Sequence, residues 1–228
     1  PEFWPESDIV RMDMLDYAFE IEYFDQHMAR MLKLLGVRNL LENTLGVVTS
    51  DNGMPFPRVK GQAYGIPINA ARHHVENGIA MPDRVVDGFV SFTDFAPTFL
   101  ELAGIDHQSS EMQPFEGHSL VKLLKDEHIK SQRDFMVIGK KHDLGRPNDW
   151  GYPIRGIIKE DFLYLHNYKP DRWPAGNPET GYMNTNGSLT KTLILKRRRA
   201  QGHNEYWDLN FGRSSSEQLF NIQKTRNV

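Results

Sequence analysis

Asp51 and Asn52 close an apolar run, Leu45-Gly46-Val47-Val48-Thr49-Ser50, and Gly53 follows them at once. A carboxylate and an amide side by side offer the hard oxygen atoms that Ca²⁺ or Mg²⁺ takes as ligands. Beyond Met54-Pro55-Phe56-Pro57-Arg58-Val59 stands Lys60, a compact cation on a flexible stem that could hold an anion against such a metal. Asp-Asn-Gly is equally an ordinary turn sequence, and spacing alone does not choose between turn and metal loop. His142 is the second candidate. It follows the apolar stretch Phe135-Met136-Val137-Ile138 and opens the polar loop Asp143–Trp150, the kind of segment that carries recognition. The competing reading is a solvated basic cluster of Lys140, Lys141 and His142, and such a rim would also steer an anionic ligand.

The elements that must position these groups can be read from periodicity. Leu45–Ser50, rich in β-branched residues and ending on polar ones, reads as a strand covered on both faces, with its ligands at the carboxyl end. Ser7-Asp8 is a helix-start signal before Ile9, Met12, Leu15, Phe19, Tyr23, Met28, Met31 and Leu35, and Gly36 is the expected stop. Gln62–Arg72 should return a second strand, with Arg72-His73-His74 in a solvated loop. His73 and His74 do not suit one zinc ion, because adjacent strand side chains point to opposite faces. Ser91–Gly104 predicts a helix with Asp94 at its start and Gly104 as its cap, and Ser119 caps a short helix through Leu124. From Tyr152 the pattern alternates, so Ile154–Tyr168 predicts an antiparallel hairpin turning at Lys159-Glu160-Asp161, with Gln218–Ile222 as a final strand. Lys196-Arg197-Arg198-Arg199 is either a solvated run or a glycan- or nucleic-acid-binding stripe.

Composition bounds the function classes. The chain has 228 residues, 39% hydrophobic and 25% charged, with a net charge of −3, so nothing points to a nucleic-acid partner. No segment is long and apolar enough for a bilayer span, so no membrane partner is expected. Pro1-Glu2-Phe3-Trp4-Pro5 has neither the basic region nor the apolar core of a signal peptide; the expectation is a protein that is not exported or one whose beginning is missing. The absence of cysteine excludes disulfides and thiolate metal sites.

Taken together, Thr49-Ser50-Asp51-Asn52-Gly53-Met54-Pro55-Phe56-Pro57 with Lys60-Gly61 resembles the second-half metal motif of the sulfatase family, in the alkaline-phosphatase-like superfamily. Asp83–Asp87, Ser91–Gly104, Gly117-His118-Ser119-Leu120, Gly151–Arg155 and Glu217–Ile222 follow in that family's order. The resemblance implies an α/β fold: residues 1–150 as the C-terminal portion of the sulfatase-like mixed-sheet domain, and 151–228 as a small antiparallel-sheet subdomain. It implies Asp51 and Asn52 as metal ligands, Ca²⁺ ahead of Mg²⁺, Lys60 on a sulfate oxygen, and His142 near the sugar end of the site. The Asp-Asn-Gly-Met-Pro-Phe-Pro wording is similar to the sulfoglucosamine sulfohydrolase branch, which implies a heparan-type sulfated sugar as substrate. Family members use a formylglycine made from Cys or Ser in a Cys/Ser-x-Pro/Ala-x-Arg motif, and no serine of this chain has that context. The nucleophile is therefore expected in an N-terminal segment outside this chain, which would then be a partner of the site, leaving no catalytic residue here and an isolated chain that is inactive. A periplasmic, secreted or lysosomal-type setting is what the family implies. Two alternatives stand: a phosphomonoester or phosphodiester hydrolase of the same superfamily, or a degenerate glycan-binding module.

Overall fold

The computed structural model describes residues 2–64, 72–74, 86, 88–110, 112–126, 128, 131, 133–141, 150–202 and 204–222. His142, Asp83–Val85 and Asp87 lie outside the described residues, and of His73 and His74 only the backbone is described. The chain forms two compact units whose segments interleave in sequence: residues 1–33, 49–71 and 137–228 in the first, 34–48 and 72–136 in the second.

Helix α1 runs Asp8–Val37. Ser7 starts it, its carbonyl accepting from Arg11 N at 3.1 Å and its Oγ from Ile9 N at 3.3 Å. The stop is not Gly36. The chain leaves the helix at Asn39, whose φ is 55°, while Leu40 N reaches back to Leu35 O at 3.0 Å. Asparagine tolerates this left-handed conformation better than other non-glycine residues, so it can take the capping role. The buried face also differs from the expected one. Val10 is buried and Met14 and Tyr17 pack on the core, whereas Met12, Leu15, Phe19, Tyr23 and Met31 are exposed. Both stripes recur at helical spacing, so periodicity alone could not say which one meets a partner.

The core of the first unit gathers Trp4, Val10, Phe56, Ala175, Tyr182, Ile194 and Phe211. Its sheet has the order β3-β4-β5-β6, with β3 Phe135–Lys140, β4 Ile154–Lys159, β5 Phe162–Asn167 and β6 Glu217–Asn221. β4 and β5 form the expected antiparallel hairpin, Ile154 opposite Asn167 and Lys159 opposite Phe162, and β6 pairs antiparallel with β5. Ile154 and Ile158 face inward and Arg155, Ile157 and Lys159 outward, the alternation that period-2 patterning requires. Helices α4, Leu189–Gln201, and α5, Glu205–Phe211, complete the unit. Ser188 caps α4 by accepting from Lys191 N at 3.1 Å, and Asp13 of α1 accepts from Thr190 N at 2.8 Å.

In the second unit β1, Gly46–Val48, pairs antiparallel with β2, Arg72–His74, in a two-stranded ribbon. The expectation of a strand covered on both faces is not met among the described residues, where β1 has one partner and is half-buried. Arg72-His73-His74 belong to a strand rather than to a solvated loop. Helix α2, Phe95–Leu102, is entered through a capping box: Ser91 N donates to Asp94 Oδ2 at 2.8 Å and Ser91 Oγ accepts from Thr93 N at 3.3 Å. Helix α3, Val121–Lys125, follows Ser119, whose Oγ accepts from Val121 N at 3.2 Å. Gly117 is required at its place, since a Cβ there would come within 2.0 Å of Thr93 O.

Asp94 does more than start a helix. Its side chain is buried and accepts from Arg133 Nη2 at 2.5 Å, Arg133 Nε at 3.3 Å and His118 N at 2.9 Å, as well as from Ser91 N. Burial alone would raise this carboxyl, but the bonds from Arg133, Ser91 and His118 outweigh it and hold Asp94 below the usual carboxylate range.

Candidate active-site loop

The segment Thr49–Tyr64 carries three of the four residues singled out in the sequence, and all of its anchors belong to the first unit. Ser50 Oγ donates to Asn52 O at 2.5 Å, a tight turn that presents Asp51 at its exposed tip with Asn52 half-buried beside it. Gly53 lets the two arms of the loop approach, because a Cβ there would lie 3.2 Å from Val59 Cγ1. Phe56 is the pin. It is 2% exposed and meets the rings of Trp4 at 5.3 Å and Tyr17 at 5.8 Å, both edge to face. Pro57 O accepts from Trp4 Nε1 at 3.1 Å, and Phe56 O accepts from both Val59 N and Lys60 N at 3.2 Å, which closes one turn and delivers Lys60.

The far end of the loop is held by two half-buried cations. Arg58 has φ 70°, outside the ordinary range for a long side chain, and its guanidinium explains why. Nη1 donates to Leu209 O at 2.5 Å, and the group lies 4.8 Å over the ring of Tyr64 and 5.5 Å over that of Phe3. Burial holds Arg58 below its ordinary pKa, with Tyr64 acting the opposite way; a guanidinium remains charged regardless. Gly61 has φ 73°, and a Cβ there would sit 2.7 Å from Asn184 O, so only glycine fits. Lys140 Nζ donates to Gly61 O, lies 3.3 Å from Pro174 O and sits 5.5 Å over the ring of Tyr152. Tyr64 OH completes the tether, donating to Gln218 Oε1 at 3.1 Å with Ser214 Oγ at 2.9 Å as its second hydrogen-bond partner.

Asp51, Asn52 and Lys60 are thus brought onto one folded loop, and their side-chain polar atoms have no hydrogen-bond or ion-pair partner among the described residues. They stand on an anchored base with their own chemistry unspent. The donor set suits a hard cation: one carboxylate, one amide oxygen, and no nitrogen or sulfur ligand. Two side chains fall short of the six to eight oxygens Ca²⁺ takes, and among the described residues no three acidic, histidine or cysteine side chains cluster.

In the sequence Lys140 stands two residues before His142, in a basic run that reads as an exposed rim. The structure turns its ammonium to the carbonyls of Gly61 and Pro174, making it a clamp on the residue next to Lys60. A signal for this existed: Met136, Ile138 and Lys140 share the less exposed parity of β3. No comparable sign marked Arg58 or Phe56, whose partners lie far away in the chain.

Residues 9–105, which include this loop, match the family model described as Sulfatase. Over that segment the chain is similar to the sulfatase family. It is 28% identical over 178 residues to an ulvan-active sulfatase of Formosa agariphila, covering 75% of this chain and 27% of that protein. With the human N-sulphoglucosamine sulphohydrolase it shares 27% over 180 residues, covering 73% of this chain and 33% of the relative. An N-acetylglucosamine-6-O-sulfatase of Bacteroides thetaiotaomicron is 26% identical, over 82% of this chain and 34% of that sulfatase. The chain therefore spans about a quarter to a third of the length of these relatives. Among solved structures, one in complex with its substrate D-glucosamine-2-N,6-O-disulfate aligns with a TM-score of 0.49 at 19% identity, covering 81% of this chain and 39% of that one.

Proposed function

We propose that this chain is the C-terminal part of a sulfatase that hydrolyses sulfate esters or sulfamates of a sulfated sugar, and that Asp51, Asn52 and Lys60 are its share of the active centre. The observation that carries this reading is the position of the three residues. They stand inside the segment matching the sulfatase family, on a loop pinned by Phe56, with no protein partner among the described residues.

In this reading Asp51 supplies a carboxylate oxygen and Asn52 an amide oxygen to a divalent cation, Ca²⁺ ahead of Mg²⁺, because Mg²⁺ demands a stricter octahedron. The remaining oxygen ligands and the formylglycine come from elsewhere in the protein. When bound, the cation offsets negative charge on the sulfate oxygens. Lys60 binds a sulfate oxygen, the anion that would separate its charge from that of the cation. The bent turn from Phe56 to Lys60, with Lys140 on Gly61, fixes the backbone from which that ammonium reaches. His142, outside the described residues, we assign to the sugar end. Similarity to N-sulphoglucosamine sulphohydrolase supports a heparan-type amino sugar, and similar identity to two sulfatases with other names makes sulfated saccharides the broader class.

The test is made in the full-length enzyme. Asp51→Ala is expected to lose the metal, measured by elemental analysis, while Lys60→Ala keeps the metal and weakens substrate binding by about 2 kcal/mol, the scale of a charge-assisted contact. Metal retained by Asp51→Ala and lost by Lys60→Ala would reverse the assignment.

A further inference from the structure

Helix α4 carries Lys191, Lys196, Arg197, Arg198 and Arg199 and no acidic residue. Sequence alone left this charge between a solvated face and a binding stripe, and the structure separates its members. Lys191 is buried and engaged, its Nζ donating to Tyr182 O at 3.0 Å and Thr185 O at 2.8 Å. Arg198 lies over the ring of Trp207, 4.8 Å from its centroid. Arg213, in the segment after α5, lies over Trp173 at 4.5 Å. The two indoles join these arginines into one cluster: their centroids are 5.8 Å apart, edge to face, and Trp207 Nε1 donates to Tyr182 OH at 3.1 Å. Arg213 is exposed and Arg198 half-buried. Neither guanidinium has a carboxylate partner among the described residues.

An arginine over an indole is restrained by the ring's quadrupole, so less freedom is lost when it binds an anion. Its N–H fork matches the paired oxygens of a sulfate, as it does a carboxylate or phosphate. We propose that Arg198 and Arg213, held over the joined Trp207–Trp173 pair, form an anion-recognising subsite for sulfate groups of a polysulfated saccharide. The choice of a sulfated saccharide over other polyanions rests on the sulfatase reading above; the subsite itself uses no residue of the Asp51–Lys60 loop. Single-stranded nucleic acid fits less well. Base stacking needs open aromatic faces, and each indole has an arginine over it.

The experiment is calorimetric titration of the full 228-residue chain with a heparin-type sulfated tetrasaccharide, its desulfated counterpart and a single-stranded oligonucleotide of equal charge. Binding of the sulfated tetrasaccharide alone is expected, weakened at least about tenfold in Arg198→Gln/Arg213→Gln. Arg213→Lys, which keeps the charge but not the planar fork, should weaken it severalfold. Metal retention in Asp51→Ala and saccharide binding in the arginine variants are read separately, so failure of the metal-loop assignment and failure of this subsite give different results. Far-ultraviolet circular dichroism confirms folding of each variant, and exposed Arg213→Gln alone serves if the double variant does not fold. No binding by the parent chain, unchanged affinity in the arginine variants, or equal arginine-dependent binding of the oligonucleotide would overturn the proposal.

Discussion

Asp51 and Asp94 are the same chemical group put to opposite uses. Asp94 is buried, and its two oxygens take bonds from Ser91, His118 and Arg133, so its charge is consumed in holding α2 and the segments at His118 and Arg133 together. Asp51 is exposed at the tip of a turn, and its oxygens meet no donor among the described residues. The fold spends anchoring groups beneath Asp51 instead, namely Phe56, Arg58 and Lys140. A carboxylate that saturates its partners inside the protein is structural; one left unpaired on a rigid base is available to a ligand. Removing the first should cost stability, and removing the second should cost binding.

The largest effect is expected at Asp94. Asp94→Ala leaves Arg133 and two backbone N–H groups without their acceptor and should destabilise the protein by about 3–5 kcal/mol, read by denaturant titration. A loss below about 1 kcal/mol would erase the contrast with Asp51. Phe56→Ala comes next, at about 3–5 kcal/mol for an aromatic ring removed from the core. It should also loosen the Asp51–Lys60 loop, measurable as faster amide exchange at Val59 and Lys60.

Acid sharpens the comparison. The folded-state pKa of Asp94 is lowered, so its contribution to stability is present above the ordinary carboxylate range and is lost as pH falls through that lowered value. Asp94→Asn should therefore flatten the acid limb of a stability-versus-pH curve; a limb unchanged from the parent would assign the acid loss to other groups. Gly61→Ala is expected to cost about 1–3 kcal/mol through its positive φ and the close Asn184 carbonyl, checked by thermal melting. Asp51→Ala should be smallest, within about 0.5 kcal/mol of the parent by the same melt, because nothing in the described protein depends on it.

The features legible in the amino-acid sequence by itself are local in origin. The start of α1 at Ser7, the capping box at Ser91 and Asp94, the Gly104 cap, the hairpin around Glu160 and the last strand depend on neighbours within a few positions, and short-range geometry fixes them. The Asp51-Asn52-Gly53 turn and Lys60 were visible for the same reason: residue type and spacing determine which donors a loop can offer. Packing of distant segments decided the rest. Which stripe of α1 is buried depends on where Trp4, Phe56 and Phe211 gather; that Lys140 clamps Gly61 depends on β3 lying beside β4; and that Arg198 lies over an indole depends on where α5 carries Trp207. Helical or strand periodicity says that a side chain repeats on a face, but the partner facing it is chosen by contacts between residues far apart in the chain, and no local pattern encodes those.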